Sequence, residues 1–353
     1  MEQSSGHLHL SRLPNRGNPF NHRHAHNYYV MGCRRADEGA LDDARKHLKR
    51  ALSFDPTYLP ALRTICNIEL STNNIEAAKH YAEMALSLSP TDHEVLTLLG
   101  NIALSEHDAE AAISAFIAAK DNGGNSTELQ YNTGLAHLFL GQCEDAIQIF
   151  NSLLEDQPAN YRAWDALGCA LRIKKDYQGA VKAFLQALQV EPQANDTRDH
   201  LAQLLLEAGN PQRARQVLET ALAFDTQRPT SRHLLGMTYI ATQDFKLAIN
   251  CWNDLIAQGN ATAETYHLLA NAYLHITDVD HAQRILNELV EHFPDHVSGH
   301  LQLALLLFEQ GDREHGQEHL NIARSLDPEN PAIQQALNVA ETIFSNDDQI
   351  PAD

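Results

Sequence analysis

A fixed period of 34 residues runs through this chain, and it constrains the fold more than any other feature. Segment 161–194, YRAWDALGCALRIKKDYQGAVKAFLQALQVEPQA, aligns without a gap to blocks starting at 25, 59, 93, 127, 195, 229, 263 and 297. The eighth place of every block is small: Gly32, Cys66, Gly100, Gly134, Gly168, Ala202, Gly236, Ala270 and Ala304. The twentieth is alanine from Ala44 to Ala282 and Gly316 in the last block. Two columns that stay small through the whole chain point to a repeated packing constraint.

Each block carries apolar residues at i, i+3, i+4 and i+7 twice, which predicts two amphipathic helices of about 14 residues. Turn formers such as Gly39, Gly141, Gly209 and Gly311 stand between them, followed by a polar residue suited to cap the second helix. The small columns are expected where the two helices cross, so that their backbones approach closely, with Trp164, Leu167, Leu171 and Phe184 filling the space beside the crossing. Proline closes six blocks at the thirty-second place: Pro56, Pro90, Pro158, Pro192, Pro294 and Pro328.

These columns resemble the tetratricopeptide repeat family, with mild departures at Thr133 and at Leu153, Leu255 and Leu289. The resemblance implies an all-α, right-handed superhelical solenoid of antiparallel helix pairs. Its nine repeats would be 25–58, 59–92, 93–126, 127–160, 161–194, 195–228, 229–262, 263–296 and 297–330. A stack needs a closed end. Residues 331–344, PAIQQALNVAETIF, have the pattern of a capping helix, with Pro331 at its start. The aperiodic segments 1–24, basic and His-rich, and 345–353 are expected to be disordered tails. Repeats then fill the chain and leave no room for a catalytic domain, so no enzyme activity is expected.

The family resemblance further implies that places two, five, nine and twelve of each first helix face a concave groove. The partner-binding residues expected there are Arg63, Asn67, Asn101, Tyr131, Leu138, Asp199, Gln203, His233, Met237, His267, Asn271, Leu274 and Phe308. A row of amides beside a row of apolar residues suits an extended peptide or a helix with spaced anchors. One subset of the family clamps a C-terminal carboxylate. Arg63 and Asn67 match its first pair, but Leu98 replaces an asparagine, and Glu128 and Asn132 stand where cations are needed.

A formal net charge of −20 disfavours nucleic acid and anionic membrane surfaces as partners. The acidic charge is concentrated in 93–160 and 263–353, which favours partners with basic segments. No stretch is apolar enough to span a bilayer. An odd set of five cysteines without a CxxC pair, and no signal-like start, lead to the expectation of a cytoplasmic protein with free thiols.

Two motifs invite chemistry. His315, Glu318 and His319 spell H-x-x-E-H, a zinc-peptidase pattern, although the repeat register puts them on a second helix away from the groove. His22, His24 and His26, with His7 and His9, could chelate a divalent ion, but a flexible tail fixes no geometry. His233 and His267 sit side by side in the groove row. No cofactor or metal is expected. The leading expectation is a protein-interaction scaffold or adaptor. The alternatives are the targeting arm of a larger or partner enzyme and a metal-dependent hydrolase; self-association through stacking faces is a third route to assembly.

Overall fold

The computed structural model describes residues 19–338, and among these the only regular structure is helical. Contacts divide the chain into two compact units, Met1–Asp176 and Tyr177–Asp353. The first unit contains α1 (Pro19–Asp37), α2 (Leu41–Phe54), α3 (Leu59–Ser71), α4 (Ile75–Leu88), α5 (His93–Ser105), α6 (Ala109–Asp121), α7 (Thr127–Phe139), α8 (Cys143–Asp156) and α9 (Tyr161–Ile173). The second contains α10 (Tyr177–Val190), α11 (Asn195–Glu207), α12 (Pro211–Phe224), α13 (Pro229–Ala241), α14 (Phe245–Ala257), α15 (Ala263–His275), α16 (Val279–His292), α17 (Val297–Glu309) and α18 (Arg313–Leu326), followed by helical residues 331–338. Within each unit successive helices pack on one another as stacked hairpins, the all-α solenoid expected from the period. From α3 onward the first helices begin every 34 residues, and so do the second helices from α4.

The chain start departs from expectation. Residues 19–24 are not part of a tail: α1 begins at Pro19. His24 stacks on Phe54 with ring centroids 5.1 Å apart, His22 Nδ1 lies 3.2 Å from an Asp55 carboxylate oxygen, and His26 Nδ1 lies 2.9 Å from the Tyr58 hydroxyl. Those aromatic and polar contacts dock the extra turns on the α2–α3 corner. The three histidines therefore have protein partners rather than a shared ion-binding geometry. His7, His9, the remainder of the capping segment (339–344) and the terminal segment 345–353 lie outside the described residues.

The turn between the helices of each pair explains a further column. The fifteenth place of every block has a positive φ: Gly39, Gly141, Gly209 and Gly311, but also Asn73, His107, Lys175, Gln243 and Thr277. Five non-glycine residues accept this left-handed strain because the hairpin geometry requires it there. The polar residue that follows caps the second helix through its side chain at Asp108, Asp278 and Asp312. Asn74 instead gives its amide to Glu69 Oε2, 3.0 Å away.

The small columns have a different cause from the one the sequence suggested. All the twentieth-place alanines are fully buried. The eighth-place glycines, however, make room for one large side chain, at the twenty-fourth place. A Cβ on Gly134 would stand 2.6 Å from the Phe150 ring, and one on Gly236 2.7 Å from Trp252. Gly100 faces Phe116 and Gly32 faces Leu48 in the same way. Backbone approach is a lesser contribution, seen at Gly32, where the added atom would lie 3.3 Å from the Ala44 carbonyl oxygen. Trp164 and Leu171 prove only half-buried, and Trp164 Nε1 donates to the Pro158 carbonyl.

In the last repeat the knob and the hole change helices. Phe308, on α17, projects onto Gly316 of α18, where a Cβ would approach its ring to 2.5 Å. Phe308 is 1% exposed and belongs to the core, not to a binding face.

Burial also disposes of the cysteines. All five are free thiols; Cys66 is pushed up to about 12 and Cys251 to about 11 by desolvation. At such values the thiolate is scarce at neutral pH, so these two act as small apolar fillers.

Candidate functional site

Residues of the first helices line a hollow in each unit. In the second unit a concavity of about 700 Å³ is lined from α11 by Asp196, Asp199, His200, Gln203, Leu206 and Glu207, from α13 by Thr230, His233, Leu234 and Met237, and by Glu264 at the start of α15. Of the expected contact residues, Asp199, Gln203, His233 and Met237 are brought together here. Gln203 and Met237 are exposed.

Asp199 is not available to a partner. It is 5% exposed, its Oδ2 accepts from Arg228 at 2.7 Å, and its Oδ1 accepts from the Ser231 hydroxyl. Arg228 also donates to Asp196 at 2.6 Å. The single Arg228 charge offsets only one of the two aspartates, so that with Glu207 and Glu264 the hollow stays acidic. The second place of each block, expected to face the groove, is charged at Glu94, Glu128, Arg162, Asp196 and Glu264, none of which is among the expected contact residues.

In the first unit a smaller hollow of about 390 Å³ is lined by Thr127, Glu128, Tyr131 and Asn132 of α7 with Asn160 and Arg162. The Arg162 guanidinium lies 4.7 Å from the centre of the Tyr131 ring, a cation–π contact that orients both. The neighbouring amides are engaged within the protein. Asn101 donates to Glu128 at 3.1 Å and accepts from Asn132 at 2.8 Å. Asn271 Oδ1 accepts from Gln302. Arg63 is held by Asp92 at 3.2 Å and Glu94 at 2.9 Å, which removes it from the role of carboxylate clamp. Asn67 is exposed. Leu138 and Leu274 are half-buried.

Four histidines of the second unit have a lowered pKa, whereas that of His315 is raised by its hydrogen bond to Asp312. Burial pushes the pKa of His233 down, with Glu264 opposing. His267 is lowered by burial and then by His296, and its Nδ1 is buried without a hydrogen-bond partner. His296 and His319 are lowered by burial and by His300. His300 Nε2 donates to the Pro294 carbonyl at 2.9 Å, which leaves its Nδ1 to accept from His319 Nδ1 at 3.0 Å. His315 turns instead to Asp312, 2.8 Å away. The two histidines of the H-x-x-E-H segment thus address different partners.

A depressed histidine pKa gives a signed expectation. Above the unfolded value of about 6.5 both states carry neutral imidazole; below it the unfolded chain takes up the proton more readily. Stability contributed by His233, His267, His296 and His319 is present at neutral pH and is lost as pH falls below about 6.5. Hydrogen-exchange protection factors should therefore drop in α13–α18 between pH 7 and about 5.5, and much less in α1–α9. Equal losses in both units would mean that these imidazoles are hydrated.

Similarity to known proteins follows the same pattern. A family model for the cytochrome c-type biogenesis protein H TPR domain matches residues 150–266, and models for the tetratricopeptide repeat match 35–102, 128–160 and 267–331. The chain is 26% identical over 234 residues to protein CTR9 homolog of Arabidopsis thaliana, covering 64% of this chain and 21% of that one. It is 20% identical over 228 residues to TPR repeat-containing protein YpiA of Bacillus subtilis, covering 65% and 53%. It therefore spans about a fifth and about half of these relatives' lengths. A crystallised tetratricopeptide repeat protein from Parabacteroides merdae superposes with a TM-score of 0.54 at 15% identity, over 70% of this chain and 98% of that one; the likeness is one of fold. Among the described residues no helix is long and apolar enough to cross a membrane.

Proposed function

Because this chain is a tetratricopeptide-repeat protein, we propose that it serves as a non-catalytic adaptor that holds a segment of a partner protein along the inward places of its first helices. The observation that carries this reading is the hollow of the second unit. Gln203 offers both donor and acceptor there, Met237 and Leu206 offer adaptable apolar surface, and the lining contains carboxylates but no lysine or arginine. Such a surface selects a segment with a basic residue beside an apolar anchor. Asn67 is exposed in the first unit, whereas Asn101 and Asn271 act by holding neighbouring helices in register.

A second reading concerns the assembly served. The segment that matches the cytochrome c-type biogenesis model, 150–266, contains every residue lining the hollow. A partner from c-type cytochrome biogenesis is therefore the first to offer to the purified chain.

The test is capture by the immobilised chain with Gln203→Ala, Met237→Ala and Glu264→Lys combined. Capture of a basic-segment partner should fall roughly tenfold or more, since each tenfold is about 1.4 kcal/mol and a reversed charge adds repulsion. Far-ultraviolet circular dichroism should not change. Undiminished capture would move the binding surface elsewhere.

A further inference from the structure

The stretches 1–18 and 339–353 lie outside the described residues, and their sequences carry opposite charge. Residues 339–353 contain Glu341, Asp347, Asp348 and Asp353 and no lysine or arginine. Residues 3–18, QSSGHLHLSRLPNRGN, contain Arg12 and Arg16 and no aspartate or glutamate. At the centre of this basic stretch, LHLSRL, two leucines at alternate places run into an arginine: Leu8, Leu10 and Arg12. Side chains two residues apart share one side of an extended backbone, so a single strand can present all three together.

The hollow of the second unit offers the matching surface. Its lining contains four carboxylates, Asp196, Asp199, Glu207 and Glu264, and Arg228 offsets one of those charges. Gln203, Met237 and Glu264 are all exposed, so an amide, a thioether and a carboxylate are within reach of an arriving chain. Glu264 makes no hydrogen bond or ion pair with another described residue. The volume of about 700 Å³ is within the range of pockets that hold a drug-sized ligand.

We propose that this hollow binds residues 8–13 of a second copy of the chain, joining molecules head to tail. The inference rests on the reading of the hollow as a site for a basic residue beside apolar anchors, and it names one occupant. Arg12 faces Glu264, Leu8 and Leu10 lie on Met237 and Leu206, and Gln203 serves the backbone of the bound strand. The acidic stretch 339–353 would meet like charge in the same place. A second molecule is the donor because the segment is short. Contacts of His22 with Asp55 and of His24 with Phe54 hold α1 from its start, and the seven steps from Arg12 to Pro19 span at most about 25 Å. Another copy offers the segment free of that tether and in any orientation. A contact between unlike patches closes into a ring or grows into a chain of molecules. An occupied hollow is closed to other partners, so self-association and partner capture compete.

Sedimentation velocity of the full-length chain at a series of concentrations should show association that weakens with added salt. Arg12→Glu and Glu264→Lys should each weaken it roughly tenfold or more. Both changes in one chain should restore it, because opposite charges face each other again. A mixture of the two single variants should likewise associate where neither does alone. Circular dichroism should be the same for all. A chain that is monomeric at every concentration, association indifferent to Glu264→Lys, or a double variant no better than the single ones would each overturn the proposal. A monomeric chain that still captures a basic partner segment, and loses it with Glu264→Lys, would refute this occupant alone and leave the adaptor reading of the hollow in place.

Discussion

Trp252→Ala is expected to destabilise the second unit by about 3–5 kcal/mol, the range for emptying the site of a fully buried aromatic side chain. Trp252 is 0% exposed and its indole occupies the space left by the missing Cβ of Gly236. The reciprocal change, Gly236→Leu, puts a branched side chain where even a Cβ would stand 2.7 Å from the indole, and should cost about 1–3 kcal/mol or more. Combined, the two changes should cost less than their sum, because the introduced leucine refills part of the cavity. The last repeat supports that exchange: Phe308 on the first helix fills over Gly316 on the second, with Leu320 at the place Trp252 holds in its own block. Urea unfolding of the two single variants and the double variant measures the coupling. Strict additivity would mean that the pair does not share one space.

The knob and hole show where sequence reading stops. Columns of small residues were visible in the period alone, and they placed the helix pairs and their starts. The reason for the columns was not visible, because it depends on which side chain of the second helix turns toward the gap. The exchange at Phe308 and Gly316 leaves the period intact while moving Phe308 from the inward row into the core. Asp199 is a similar case. Its place in the inward row was legible, but its oxygens are used up by Arg228, the last residue of its own block, and by Ser231 at the start of the next. Pairings between neighbouring blocks are set by rotamers, and no single block reveals them. The same holds for Asn101 and Asn271, whose amides bridge to the next first helix instead of facing outward.

Arg45→Met should be among the most damaging single changes in the first unit, at about 3–5 kcal/mol near neutral pH. Glu69 occupies the eleventh place of α3, where Leu171, Leu205 and Leu307 stand in other blocks, and it is 1% exposed. Arg45 Nε donates to Glu69 Oε1 at 2.7 Å and Asn74 Nδ2 donates to its Oε2 at 3.0 Å. Hydrogen bonding to Glu69 is also the main reason the Arg45 pKa is raised. Methionine keeps most of the stem but strands a carboxylate in the core without its partner. Adding Glu69→Leu removes the charge and restores the residue used in neighbouring blocks. The double variant should recover most of the loss or exceed wild type, since well-packed apolar replacements of buried ion pairs are often neutral or stabilising by about 1–4 kcal/mol. Unfolding curves at pH 7 decide the matter: an Arg45→Met chain within about 1 kcal/mol of wild type would mean that water already reaches Glu69.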